Sequence, residues 1–421
     1  ESKSADEITA INWKKRREIV AYAYANSPFY RRFYDEAGFR VGDLKTPDDW
    51  ARLPILEKRQ IREYRDQILC HGTTARDRIK TTTGGSTGLP MLTYRDARFP
   101  EEIIKWRMLR RWRRSPADNK LMLWRIPGSS ASRKSLIYNA MLWWPTRRYK
   151  FDVSSISSAS LAEMTRIILE KKPAIIWGYV GALQELADHL ESSEIELGYA
   201  PLVWATASPM SRSQREKFRR VFGPDLLDQY ACSEVHWVAA NVPGTEDLLI
   251  DFDFRHVDVV CAEEGPLGGN KSGDILLTDL ENRVFPLIRY KNGDRSSFVS
   301  VAQDLQLNYR KIQRVQGRTS DSLKTPSGNV VPGEYITTIF DEYYMDIEQF
   351  HVIQDKDFSV TLIVKPAASS CITPAKLSSV LSLAEKSISK KLEGEVPVHC
   401  RIVTNLPHES GKQRFVRSQV D

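Results

Sequence analysis

Between Pro173 and Glu234 the chain alternates short apolar runs with amphipathic ones, and this rhythm limits its possible folds more than any other feature. "PAIIWGYV" has the length and β-branched content of a buried strand, and "GALQELADHLESS" follows with helical spacing. "APLVWATAS" repeats the strand signal, "RSQREKFRRVFG" the helix, and "DLLDQYACSE" reads as strand, then loop. A helical pattern over 160–171 precedes the series. Strands separated by helices build a sheet whose strand ends gather along one edge, which predicts α/β architecture. At 421 residues the chain has room for roughly two or three domains.

The flanking segments follow other rules. Residues 9–40 read as helix, with Phe29, Phe33 and Tyr34 at near-helical spacing, and residues 54–68 as a second helix opened by Pro54. "IKTTTGGSTGLPMLTYR" reads as strand, glycine-rich loop, strand. Beyond "RYKNGD" the character changes. "FHVIQDKDFSVTLIVKP" predicts an antiparallel hairpin, "PAKLSSVLSLAEKSISKKLEG" one long helix stopped by Gly394, and "PVHCRIVTNLP" a final strand. About a hundred C-terminal residues are therefore α+β, with a boundary near Gly317–Ser320 that separates domains 1–318 and 319–421.

Composition excludes several classes. Apolar residues make up 41% and charged residues 27%, as in an ordinary soluble protein, and no apolar run is long enough to span a bilayer. The N-terminus is polar and lacks the pattern of a signal peptide. Five scattered cysteines with no CxxC pair predict reduced thiols and a cytoplasmic protein. The net charge of +7 is concentrated in "KWRMLRRWRRS" (Lys105 to Ser115), an amphipathic helix with a basic face. Such a face is either simply solvated or a dock for an acidic partner, a nucleotide or an acidic carrier protein. The usual signatures of nucleic-acid binding are missing.

"TTTGGSTGLPM" (Thr81 to Met91) cannot pack a core. Gly84, Gly85 and Gly88 let backbone amides approach an anion, and Thr83, Ser86 and Thr87 add hydroxyl donors. No Lys-Ser/Thr follows the last glycine, so this is not the Walker pattern, nor is it the dinucleotide fingerprint. By itself it reads equally well as a flexible turn.

The stretch resembles the phosphate loop of the adenylate-forming superfamily: acyl-CoA synthetases, nonribosomal adenylation domains and luciferases. Gly84 takes a hydroxyl position there, and Met91 stands where a lysine is usual, a loss that points to the phenylacetate–CoA ligase-like branch. "SPFYRRFYDEAG" is similar to the N-terminal helix of that branch. "QYACSE" resembles Y-G-x-[ST]-E, which implies Tyr230 against adenine, Ser233 and Glu234 by the phosphates, and Mg²⁺ on Glu234. "RYKNGD" resembles R-Y-x-[TS]-G-D, whose aspartate (here Asp294) accepts the ribose hydroxyls, although Asn292-Gly293 alone reads as a hairpin turn. "GRTSDSLKTPSGNVVPGE" resembles the hinge motif. It implies Arg318 on the ribose, with Ser320 in place of a usual aspartate and Asp321 kept. "LPHESGKQR" resembles the C-terminal motif that carries the adenylation lysine, here Lys412. "WATASPM" is similar to the segment passing adenine and acyl group, which assigns Thr206, Ala207 and Ser208, and "WGYVGAL" to the segment beside the acyl pocket.

The resemblance implies a large multi-sheet α/β domain and a small mobile α+β domain that rotates between two half-reactions. It implies ATP and Mg²⁺, a carboxylic acid substrate, and coenzyme A as the default acceptor, with a carrier protein or an amine as alternatives. Lys412, Glu234 and Thr87 are the expected catalytic groups. Trp177, Tyr179 and Trp204, with Trp124, Trp143, Trp144 and Trp237, favour an aromatic or cyclic acid; Arg125, Arg133 and Arg147 are candidates for a second acidic group. Cys232, His236, His256 and Cys261 do not form a clean ligand set, so zinc is not expected. A scaffold that binds nucleotide without catalysis is the alternative of a different class, opposed by the joint presence of Glu234, Asp294, Arg318 and Lys412.

Overall fold

The computed structural model describes residues 3–83, 91–124, 141, 144, 146–153, 156–260, 273–299, 310–315, 317–318, 323–327, 330–331, 340, 343, 346–367, 372–404, 406 and 416–420. The chain forms two compact units, one of Glu1–Met108 with Gln229–Val315, the other of Leu109–Asp228 with Gln316–Asp421.

Helices α1 (Ala5–Asn26), α2 (Pro28–Glu36) and α3 (Lys58–Ile68) precede strands β1 (Arg78–Thr83) and β2 (Met91–Asp96) and helix α4 (Glu102–Arg111). The alternating series is β3 (Lys120–Trp124), β4 (Arg148–Asp152), α5 (Ser158–Lys171), β5 (Ile175–Tyr179), α6 (Val180–Ser192), β6 (Leu202–Thr206), α7 (Arg212–Phe222) and β7 (Leu226–Tyr230). Strands β8 (Ala239–Ala240), β9 (Leu248–Ile250), β10 (Arg255–Val260), β11 (Gly273–Asp279), β12 (Tyr290–Ser296) and β13 (Lys311–Ile312) come next. The remainder is β14 (Gly317–Arg318), β15 (Leu323–Lys324), β16 (Val330–Val331), β17 (Ile347–Gln354), β18 (Val360–Pro366), α8 (Pro374–Lys391), β19 (Val398–Ile402) and β20 (Val416–Ser418). The α/β class expected from the alternation is what the chain adopts.

In the first unit the single helix expected over 9–40 is two. Ser27 ends α1 through its amide to the Ala23 carbonyl (2.8 Å) and caps α2 through its hydroxyl. Its extended backbone is what the residue before a proline favours. The helix expected from Pro54 starts at Lys58, where the Gln60 amide oxygen accepts from the Glu57 N–H at 2.8 Å. Strands β1 and β2 pair antiparallel, as expected of the segments flanking the glycine-rich loop. Met91 lies on β2 and is 2% exposed, so it packs in the apolar core with Leu56 and Phe285. Strands β10, β11 and β12 form an antiparallel sheet. On α4 the basic face is partly paired within the protein: Arg107 grips Asp253 at 2.6 and 2.9 Å, and Lys105 pairs with Glu102.

In the second unit β4, β3, β5, β6 and β7 pair in parallel. Leu121, Leu123, Ile176, Val203 and Ala205 meet an apolar cluster with residues of α5, α6 and α7. Period-two alternation puts Met122, Trp124, Trp177, Tyr179, Trp204 and Thr206 on the opposite face. Gly178 is dictated by packing: a Cβ there would lie 2.7 Å from the Leu123 Cβ. The hairpin β17–β18 forms as expected, and α8 packs on its sheet. Strand β19 pairs parallel with β18, but it is not the final strand; β20 follows and pairs parallel with β17. Glu348 on β17 accepts from Lys217 of α7 (3.1 Å), Lys365 of β18 (2.8 Å) and Gln184 of α6 (3.3 Å).

Candidate active site

The residues between β7 and β8 form a loop closed on itself. The Val238 N–H donates to the Tyr230 carbonyl and the Cys232 N–H to the Val235 carbonyl, both at 3.1 Å. The nine consecutive residues 230–238 thus hold Tyr230, Ser233, Glu234 and His236 on a short rigid frame. Trp237 sits at φ 54°, a left-handed conformation that ordinary residues rarely adopt. Arg255 fastens the frame from behind: it is fully buried, donates to the His236 carbonyl at 3.0 Å, and pairs with Asp279 at 2.7 Å.

Facing this loop is β12. Residues Tyr290, Asn292, Asp294 and Ser296 alternate on its buried face. The Tyr290 hydroxyl donates to Glu234 Oε1 at 2.8 Å. The Tyr230 hydroxyl donates to Asp294 Oδ2 at 2.9 Å, and Asn292 Nδ2 donates to both, at 2.7 and 2.6 Å. Asn292-Gly293 is therefore not the hairpin turn that its dipeptide signature predicts. It lies inside a strand, at a register shift opposite Asp274–Leu276, with Gly293 at φ 86°. Such a bulge re-aims neighbouring side chains, and here it turns Asn292 and Asp294 toward the Tyr230 hydroxyl.

Arg289 begins this motif, and its role is architectural. Its guanidinium donates to the carbonyls of Trp50, Ala51 and Leu53, and its own carbonyl accepts from the Leu56 N–H at 3.1 Å. The motif is thereby tied to the segment before α3.

Burial sets the electrostatics. It pushes the phenols of Tyr230 and Tyr290 well above their ordinary range, and the adjacent Asp294 and Glu234 carboxylates reinforce this, so both remain neutral donors. Burial, then Glu234, likewise holds the Cys232 thiol protonated. His236 is lowered to about 3 by burial and then by Arg95, Arg255 and Lys105, so its ring is neutral near pH 7. Among the described residues no three His, Cys, Asp or Glu side chains gather as a metal cage. Glu234 as a lone buried carboxylate suits Mg²⁺, which binds through one or two carboxylates together with substrate phosphates.

The second unit holds Thr206, Ala207 and Ser208, the aromatic residues Trp124, Trp177, Tyr179 and Trp204, and Arg318. Thr206 ends β6 and is buried, and Ala207 follows at φ 76°, a strained conformation for a residue with a Cβ. Trp177 stacks on Trp204 with centroids 4.7 Å apart, and Trp124 lies 4.6 Å from Tyr179. Trp204 is wholly buried and serves as packing beneath Trp177, whereas Trp124, Trp177 and Tyr179 are half-buried. The backbones of Thr83 and Arg318 lie in β1 and β14. Gly84, Gly85, Ser86, Thr87, Gly88, Lys412, Ser320, Asp321, Cys261, Arg125, Arg133 and Trp143 lie outside the described residues.

Two site residues escaped the sequence reading, Tyr290 and Asn292. The signal was available: in a strand, Tyr290, Asn292 and Asp294 share a face, so an assigned aspartate implicates the residues two and four before it.

The chain thus combines a parallel α/β sheet in one unit with a buried set of Tyr230, Asp294 and Glu234 in the other. No family model matches the chain. It is 26% identical to phenylacetate-coenzyme A ligase of Escherichia coli (strain K12) over 349 residues, covering 79% of this chain and 76% of the other. It is 21% identical to protein CapK of Staphylococcus aureus over 439 residues, covering 99% of this chain and 91% of that one. Among solved structures, 2-hydroxyisobutyryl-CoA ligase in the postadenylation state shares the fold. Its TM-score is 0.76 at 18% identity, covering all of this chain and 90% of that one. Over most of its length the chain is thus similar to phenylacetate-coenzyme A ligases, and it shares the fold of an adenylate-forming CoA ligase.

Proposed function

We propose that the chain activates a carboxylic acid with ATP as an acyl-adenylate and passes the acyl group to coenzyme A, with an aromatic or cyclic acid as substrate. The observation that carries this reading is the buried arrangement of Tyr230, Asn292 and Asp294 beside the Tyr290–Glu234 pair. It offers an aromatic face, a ribose acceptor and a metal carboxylate on one frame. The phenylacetate ligases among its relatives and the half-buried Trp124, Trp177 and Tyr179 support an aromatic acid.

In the first step a carboxylate oxygen attacks the α-phosphorus. The bond to the β-phosphate oxygen breaks, and pyrophosphate leaves with the electron pair. In the second, the sulfur of coenzyme A attacks the acyl carbonyl, AMP departs, and the thiol proton passes to solvent. Two anions meet in the first step, so preorganised donors and cations carry the catalysis. We assign the amides and hydroxyls of Thr83, Gly84, Gly85, Ser86, Thr87 and Gly88 to the β- and γ-phosphates, and Ser233 beside them. Lys412 is assigned to the charge that moves onto the leaving group. Asp294 and Arg318 orient the ribose, Tyr230 lies on the adenine, and Thr206, Ala207 and Ser208 line its path. Magnesium held by Glu234 would offset the phosphate charge. Residues 319–421 act as the mobile domain that brings Lys412 in for adenylation and withdraws it for thioester formation.

Pyrophosphate exchange across a panel of aromatic and aliphatic acids tests the reading. An aromatic acid is expected to support exchange, and Lys412→Ala to lower it by about a hundredfold or more with ATP binding retained. Exchange that is unchanged in Lys412→Ala would remove that residue from the site. ATP binding without exchange on any acid would favour a scaffold. Product analysis with coenzyme A, a carrier protein or amines identifies the acceptor.

A further inference from the structure

We infer that Asn292 is a positioning residue that locks the adenine-side tyrosine and the ribose-side aspartate into one unit; this rests on the reading of Tyr230 and Asp294 as nucleotide contacts. The amide spends its hydrogen-bonding capacity on these two residues. Nδ2 donates to Tyr230 Oη at 2.7 Å and to Asp294 Oδ2 at 2.6 Å, while Oδ1 accepts from the Asp294 N–H at 3.0 Å. The Tyr230 hydroxyl closes the ring by donating to the same Asp294 oxygen at 2.9 Å.

All three side chains are buried, Tyr230 at 7%, Asn292 at 3% and Asp294 at 6% exposure. In such surroundings a hydrogen bond is stronger than in water and an unmet donor is costly. Two donors on Oδ2 fix the rotation of the Asp294 carboxylate and hence the direction of Oδ1. A donor and an acceptor on the Tyr230 hydroxyl fix the position of the phenol's oxygen end. The bulge at Gly293 is what brings the Asn292 and Asp294 side chains together on the Tyr230 hydroxyl.

Residue type matters here. Only a primary amide supplies two donors and one acceptor from a short neutral side chain. The Ser or Thr usual in motifs like "RYKNGD" carries one donor and reaches one partner, so it cannot close this ring. An aspartate would replace both donors and set two carboxylates side by side.

The test compares wild type, Asn292→Ala, Asn292→Thr and Asp294→Ala with ATP, 2′-deoxyATP and 3′-deoxyATP. Binding is measured by calorimetry, and kcat and KM by pyrophosphate exchange, with folding checked by circular dichroism. Asn292→Ala is expected to weaken ATP binding about tenfold while kcat changes little, and to flatten the preference for ATP over the deoxynucleotides. Asn292→Thr, close in size, is expected to fall between, and serves alone where the alanine variant does not fold. Wild-type affinity and preference retained in the folded Asn292 variant would overturn the inference. Unchanged ATP binding in Asp294→Ala, or no preference in wild type, would instead overturn the assignment of Asp294.

Discussion

The hydroxyl of Tyr290 donates to Glu234 Oε1 at 2.8 Å, and both side chains are buried. A phenol neutral at every working pH orients this carboxylate, much as outer residues orient metal ligands. Tyr290→Phe is expected to raise the magnesium concentration giving half-maximal exchange by about tenfold, with less change at saturating metal. Titration of exchange with magnesium, and of thermal protection by ATP with and without it, reads the effect. An unchanged magnesium midpoint would reduce the contact to packing.

Gly178 on β5 stands in register beside Leu123 of the neighbouring parallel strand β3. A Cβ would stand 2.7 Å from that of Leu123, inside the apolar cluster beneath the sheet. Gly178→Ala is expected to destabilise the protein by about 1–3 kcal/mol, the usual range for overpacking. Thermal melting should show a clear fall, and because alanine keeps the Cβ at position 123, Leu123→Ala in the same chain should not restore it.

Glu348 is only 7% exposed and takes its charge balance from Lys217 and Lys365. Burial opposes the charge of Lys217, but Asp188 and Glu348 outweigh it and hold its pKa above the ordinary lysine value. Lys217→Ala leaves the carboxylates short of a partner, with an expected loss of about 3–5 kcal/mol. Lys217→Met with Glu348→Leu should lose less than the sum of the two single changes. Because the folded pKa is raised, the stabilisation is complete below about 10.4, the unfolded value, and disappears as pH rises through the folded value.

His236 has the opposite sign. Its pKa falls from 6.5 to about 3 in the fold, so the unfolded chain binds a proton that the folded chain refuses between those values. Stability contributed by the neutral ring is present above 6.5 and declines as pH drops toward 3. His236→Gln should therefore melt with a shallower dependence on pH below 6.5 than wild type. Equal slopes would show that the ring is not held neutral.

Much of the architecture was legible along the chain. The runs ending at Tyr179, Thr206 and Tyr230 announced parallel strands because a strand buried on both faces must be short and apolar. The break at Ser27-Pro28 was equally written in the sequence, yet a helical pattern of aromatic residues on its far side concealed it. Asn292-Gly293 misled for a different reason. The dipeptide favours a left-handed backbone, and both a hairpin turn and a bulge within a strand satisfy that demand. Met91 was read by its position in a phosphate motif, whereas the fold uses it as a buried core residue on β2.

Periodicity, capping and turn chemistry involve residues within a few positions of each other, so the chain order alone settles them. Tyr290 meets Glu234 across 56 residues, and Asn292 meets Tyr230 across 62. No local preference encodes such pairings. They exist because the sheet of β10, β11 and β12 and the closed loop after β7 are packed so that a period-two face meets a short rigid frame. The polar and aromatic residues of the candidate site were thus present in the sequence, and the three-dimensional packing decided which of them hold each other in place.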